Sequence, residues 1–338
     1  MSLYIAYLYI ILFSSLDCQI MQNVPLSSLS LHYFHSSKAH LHQLKAHSLK
    51  GIVLTSFLVC TEDPGALANE RKKADSWRRS DPASYLGAFR DTAVFHNLTV
   101  YIFIDECLEK IVAEKYSTPT FRFIQTSRNP PLSSNDDRFL IYHLFLMELR
   151  DPLPQFVLFA DISDVYFQSN PFDVMLDLSP QFNFFPSFER ALLSTTPIMR
   201  RKECKPPEST TTMSPSWQVK NAGLWGATFD AAKIILLCMK HFFLDVFRDK
   251  SRAANCNMPI YNLCTFKASS MLRAYTGTGL FNVFGSSCDS KDFSVIHNHC
   301  DTIKKCLEID YKTGASVRIK CNRSLVEDLL TKEAYDSV

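Results

Sequence analysis

Short apolar runs separated by longer polar stretches of helical period constrain this chain more than any other feature. The runs are residues 51–60 (GIVLTSFLVC), 98–104 (LTVYIFI), 121–125 and 156–160 (FVLFA). Runs of this length, rich in β-branched and aromatic residues and bounded by polar segments, read as buried strands. Between them, residues 62–95 carry Trp77, Tyr85 and Phe89 at helix-compatible spacing, and 106–116 reads as a short helix. Residues 136–150 place Phe139, Tyr142, His143, Leu146 and Leu149 on one stripe, as a helix lying on a core requires. Strands alternating with helices build a mostly parallel sheet flanked by helices. The expected fold class is therefore α/β. In open sheets of that kind ligands bind at the carboxyl ends of the strands, and Asp161 stands at such an end.

Further along, residues 189–216 combine Pro, Ser and Thr with the basic run Arg200, Arg201 and Lys202, and read as a long loop. Residues 230–246 read as a helix, and 293–296 (FSVI) as a late strand. The chain of 338 residues is long enough to bury a substantial single core.

Composition excludes some functions. With only 9 Gly and no GxGxxG turn, the sequence lacks the dinucleotide-binding signature. A net charge of +2 leaves no broad basic face, so nucleic acid is not expected as a partner. The 11 cysteines include no CxxC pair, which argues against a zinc finger. Buried free thiols are one reading, and partial pairing in an oxidising lumen is the other; the odd total leaves at least one thiol unpaired.

The N-terminus bears on compartment. Residues 1–16 are almost wholly apolar at the start and fit a signal peptide or short signal anchor, which makes membrane anchoring a possibility. They fall short of the roughly 20 residues of a comfortable span. Residues 17–48, with irregularly spaced His32, His35, His40, His42 and His47, read as a stem or linker. The sequons at Asn97 and Asn322 fit a lumenal route through the ER or Golgi.

The chemistry concentrates at residues 159–165 (FADISDV), where Asp161 and Asp164 lie three apart just as an apolar strand stops. Two unpaired carboxylates are costly at a buried strand end. A hard divalent cation, Mg²⁺ or Mn²⁺, removes that cost and also holds diphosphate oxygens. A plain turn in which Asp164 opens the next segment as an N-cap is the competing reading.

Residues 134–172 (SNDDRFLIYHLFLMELRDPLPQFVLFADISDVYFQSNPF) resemble the centre of a nucleotide-diphospho-sugar transferase of the GT-A type. Such enzymes carry an acidic motif, usually Asp-x-Asp, after a hydrophobic strand, and a helix before it with a basic residue near its start. Here the helix begins at Asn135-Asp136-Asp137-Arg138, and the motif departs from the pattern as Asp-x-x-Asp. The stretch Val165-Tyr166-Phe167-Gln168-Ser169-Asn170-Pro171-Phe172 resembles the extension found after the motif in a subgroup. Lys220-Asn221-Ala222-Gly223-Leu224-Trp225-Gly226 resembles the family's Asn-(Ala/Ser)-Gly strand, and residues 256–262 the later segment facing the anomeric centre. Residues 295–299 (VIHNH) resemble the late strand whose histidine completes the metal shell; His297 and His299 stand two apart, so either can serve.

The resemblance runs in order from about Gly51 to Cys300. It implies a Rossmann-related GT-A-like catalytic domain over 49–325, with a C-terminal tail at 326–338. It implies a Mn²⁺ or Mg²⁺ site at Asp161, Asp164 and His299, and donor or acceptor contacts from Thr55, Arg138, Asn221, Gly223 and Trp225. Asn257 is the candidate at the catalytic position, where relatives often carry a carboxylate. The expected activity is transfer of a hexose from a nucleoside-diphosphate sugar to a hydroxyl of a glycan or glycoprotein. Asn257 leaves a non-catalytic donor- or glycan-binding protein as the alternative. A phosphate-ester hydrolase would need a further carboxylate cluster, which the sequence lacks.

Overall fold

A computed structural model describes residues 50–58, 82–105, 108, 116–127, 132–162, 165–196, 199, 204, 213–214, 216–246, 255–277, 279–283, 294–297, 307–309 and 317–319. The segments at 1–16, 17–48 and 326–338, the basic run 200–202, most of the 106–116 segment, Asp164, His299 and Asn322 lie outside the described residues.

The apolar runs form strands. In chain order the elements are β1 Gly51–Phe57, α1 Pro82–Phe95, β2 Val100–Asp105, β3 Phe121–Thr126, α2 Ser134–Glu148 and β4 Phe156–Ala160. They continue with β5 Val165–Phe167, α3 Pro171–Leu178, β6 Phe184–Leu192, β7 Gln218–Thr228, α4 Phe229–Val246 and α5 Asn257–Lys267. Four short strands follow: β8 Phe281–Val283, β9 Val295–His297, β10 Leu307–Ile309 and β11 Val317–Ile319.

The main sheet has six strands in the order β3-β2-β1-β4-β7-β6. The β3–β2, β2–β1 and β1–β4 pairs are parallel, and β4–β7 and β7–β6 are antiparallel. It is thus a mostly parallel central sheet flanked by helices. Strands β2 and β4 are buried at every residue, as strands covered on both faces must be. Edge strand β3 exposes its second residue, Arg122.

The period of two along each strand divides the interior into two cores. Ile52, Leu54, Tyr101, Phe103, Val157, Phe159 and Trp225 face α2, α4 and α5. Val53, Val100, Ile102, Phe156, Leu158 and Leu224 face α1 and α3. Packing of α3 is close: a Cβ on Gly226 would come 2.8 Å from the Met175 methyl, so that flexible side chain would have to shift to admit one.

Of the expected strand at 51–60, Gly51–Phe57 forms, with 59–60 outside the described residues; that at 98–104 begins at Val100, and those at 121–125 and 156–160 form, as does the helix at 230–246. The late strand is displaced slightly, to Val295–His297. The expected loop at 189–216 is corrected at its start, because β6 continues to Leu192. This strand carries Pro186, which removes a backbone donor and so suits only a sheet edge, where β6 lies.

A small second sheet, in the order β5-β9-β8, follows the end of β4. Its register pairs Val165 with His297, Tyr166 with Ile296 and Phe167 with Val295. Two disulfides are formed among the described residues. Cys238–Cys264 joins α4 to α5, and Cys204–Cys256 joins the segment after the basic run to the residue before α5.

Candidate functional site

The order β3-β2-β1-β4 makes the chain cross from one side of β1 to the other, and the crevice at such a reversal opens at the strands' carboxyl ends. Asp161 is the first residue past β4 and is partly exposed. Its backbone N–H donates to Gly223 O at 2.7 Å, so Gly223 continues the β4–β7 pairing right up to the carboxylate.

Helix α2 supplies the partner. Its cap is Ser133, whose Oγ accepts from Asp136 N at 3.1 Å. One turn in, the Arg138 guanidinium donates through Nη1 to Asp161 Oδ1 and through Nε to Asn135 O, the latter at 3.2 Å. Arg138 is 8% exposed and lies over the Phe139 ring. Burial works against its charge. The Asp161 carboxylate outweighs that, with help from Tyr142 and Asp136, and holds the guanidinium pKa above its ordinary value. Burial likewise pushes the Tyr142 phenol up to about 12, against the pull of Arg138, so it stays neutral.

The start of α2 is bolted to the start of α5. Both oxygens of the fully buried Asp136 accept from Cys256 N–H, at 2.9 and 3.0 Å. Asn257 Nδ2 donates to Asn135 O at 3.3 Å. The candidate catalytic amide is therefore tied to the same turn that carries Arg138.

On β7, Asn221 Oδ1 accepts from Gly223 N at 2.6 Å and Leu224 N at 3.1 Å, while Nδ2 donates to Glu189 Oε1 at 2.5 Å. At 3% exposed, Asn221 shapes its own strand and holds Glu189. Hydrogen bonds thus run from Asp161 through Gly223 and Asn221 to Glu189.

The structure brings Arg138, Asp161 and Gly223 together directly, and joins Asn221 and Asn257 to them through one or two hydrogen bonds. Two others are fully buried. Trp225 is fully buried, stacked on Phe159 at 3.9 Å between centroids and packed against Tyr261. The expected sugar-stacking platform is a core residue here, because its position on β7 faces α5 and not the crevice. Thr55, in central strand β1, is also fully buried, and its hydroxyl has no partner among the described residues. Asp164 and His299 lie outside the described residues, and among those described no group of three or more His, Cys, Asp or Glu gathers as a metal site.

Sequence reasoning missed Asp136 and Glu189. Asp136 announces itself only as the fourth residue of a Ser-x-x-Asp capping pattern, which explains a helix start and not a cross-link. Glu189 sits in a stretch read as loop, and its partner is 32 residues away in sequence.

No family model matches this chain, and no curated protein matches it. Among solved structures it is similar to mouse xyloside xylosyltransferase 1 in its apo form, at 12% sequence identity and a TM-score of 0.41. The match covers 74% of this chain and 98% of that one.

Proposed function

We propose that the protein is a metal-dependent glycosyltransferase that moves a hexose from a nucleoside-diphosphate sugar to a hydroxyl of a glycan or glycoprotein. The observation that carries the reading is the Arg138–Asp161 pair at the carboxyl end of β4, in the crevice where the strand order reverses. The motif resemblance over residues 134–172 supports it independently.

Mn²⁺ or Mg²⁺ is the cofactor that the acidic motif implies, and the chemistry of the residues proposed to hold it suits such a cation. Asp161 presents a partly exposed carboxylate at the strand end, and the β5–β9 register pairs Val165, which follows Asp164, with His297, which stands two residues before His299. Carboxylate oxygen with imidazole nitrogen suits such a cation. Asp161, Asp164 and His299 would hold it, and it would neutralise the charge of the departing diphosphate. Arg138 keeps further guanidinium N–H groups beyond the two bonded to Asp161 and Asn135, and these suit diphosphate oxygens. Gly223 lets backbone and sugar approach closely beside Asp161, and Asn221 fixes that stretch of β7.

A second reading, a donor or glycan binder without turnover, is favoured by one observation: Asn257 provides no carboxylate and its amide is spent on Asn135 O. Passage through the secretory pathway, with residues 1–16 as signal or anchor, belongs to the proposal as well.

Titration with UDP and GDP, with and without Mn²⁺, tests the site. Affinity is expected only with the cation, and Asp164→Ala should remove it while leaving thermal melting unchanged. Equal affinity in EDTA would overturn the metal assignment. Metal-dependent binding without transfer or donor hydrolysis would establish the second reading.

A further inference from the structure

The buried carboxylate of Asp136 has a role that capping does not explain. A helix cap needs only Ser133 Oγ, which is present. Burying a carboxylate completely is costly unless it is hydrogen-bonded on all sides. Both oxygens of Asp136 accept from one backbone N–H, that of Cys256. Cys256 is in turn cross-linked to Cys204, 52 residues earlier, and both sulfurs are buried. Cys204 Sγ also lies 3.8 Å from Asn255 O. On the other side, Asn257 binds Asn135 O, the same carbonyl that receives Arg138 Nε.

These contacts form one continuous path. The disulfide fixes residues 255–257. They grip residues 135 and 136 at the start of α2. That turn aims Arg138 at Asp161. The second disulfide, Cys238–Cys264, takes no part in this path, since it joins the bodies of α4 and α5.

We propose that the Cys204–Cys256 disulfide gates this site: closing it sets the start of α2 so that Arg138 meets Asp161, and only the oxidised chain is competent to bind an anionic ligand there. Asp136 is the positioning residue that transmits the constraint. The proposal names the regulation of the site and rests, for its ligand, on the function proposed above. Opening the bond requires a thiol reductant. Two electrons and two protons pass to the sulfurs to give two thiols, and a dithiol reductant leaves as its own disulfide.

The test compares two paired substitutions in the full chain, Cys204→Ser with Cys256→Ser and Cys238→Ser with Cys264→Ser. Both lose a cross-link, so both lower the melting temperature. UDP affinity in the presence of Mn²⁺ and amide hydrogen exchange over residues 134–140 are then read below the melting transition. The Cys204/Cys256 variant should lose UDP affinity by about tenfold or more, the scale of a lost hydrogen bond to a charged group. It should also exchange faster over 134–140, while the Cys238/Cys264 variant stays near wild type in both. Like behaviour of the two variants, in either direction, would overturn the gate.

Asp136→Asn, which keeps both disulfides, guards against a variant that fails to fold. It should reproduce the faster exchange over 134–140, and protection equal to wild type would reject Asp136 as the transmitter. If wild-type protein binds no UDP with Mn²⁺, the function proposed above fails. The exchange contrast between the two cysteine variants still decides the gate.

Discussion

At the scale of the residue, the molecule places several ionisable groups where water would normally serve them. His143 on α2 is 3% exposed, and its Nδ1 has no partner among the described residues. Burial, with the charges of Lys240 and Lys233, lowers its pKa from 6.5 to about 4. The unfolded chain therefore binds the proton first as pH falls. Stability is unaffected above pH 6.5, declines between pH 6.5 and 4, and levels off below. The full loss is roughly 3 kcal/mol from this group. Melting temperature followed from pH 7.5 to 4 should show that decline, and His143→Phe should flatten it. A parallel slope in the variant would assign the acid sensitivity elsewhere.

At the scale of the element, β7 does two jobs with one run of residues. Its first half, with Asn221 and Gly223, borders the candidate site, while Trp225 anchors the core against Phe159, Phe184 and Tyr261. Trp225→Ala is therefore expected to cost about 3–5 kcal/mol in stability, the range for emptying a buried aromatic site. Trp225→Phe should recover most of that without altering nucleotide affinity, measured by chemical denaturation and UDP titration together. A variant as stable as wild type but weak in sugar binding would return Trp225 to the site.

How far each element was legible follows from its surroundings. Strands β1, β2 and β4 are buried on both faces, so their sequences are unbroken apolar runs that declare themselves. The acidic end of β4 was legible for the same reason, since Asp161 interrupts the run. By contrast, β6 mixes Pro186, Glu189 and Arg190 into an edge strand, and a pattern of that kind matches a loop equally well. The start of α5 hid behind Pro259, which is harmless in a first turn, where the backbone N–H has no intrahelical partner. The cross-links from Asp136 to Cys256 and from Asn221 to Glu189 join residues 120 and 32 apart, and local periodicity carries no record of such distances.

At the scale of the whole molecule, two cores sandwich one sheet, and the two disulfides among the described residues lie on the α4–α5 side. Their sequence separations of 52 and 26 residues correspond, on loop entropy alone, to about 4 and 3.5 kcal/mol. Non-reducing and reducing denaturation curves should differ on that scale, and coincident curves would mean that neither bond forms in solution. The strand order has one more consequence, for the time before the molecule is complete. Strand β1 is made early yet lies in the middle of the sheet, between β2 and β4. Strand β4 finds its second neighbour only when β7 arrives. During synthesis, which proceeds from the N-terminus, a nascent chain must hold a fully apolar ribbon with one open edge until the far half emerges. The burden of keeping that edge from other chains falls on the cell's chaperones, and a message cut short before residue 218 would leave it open for good.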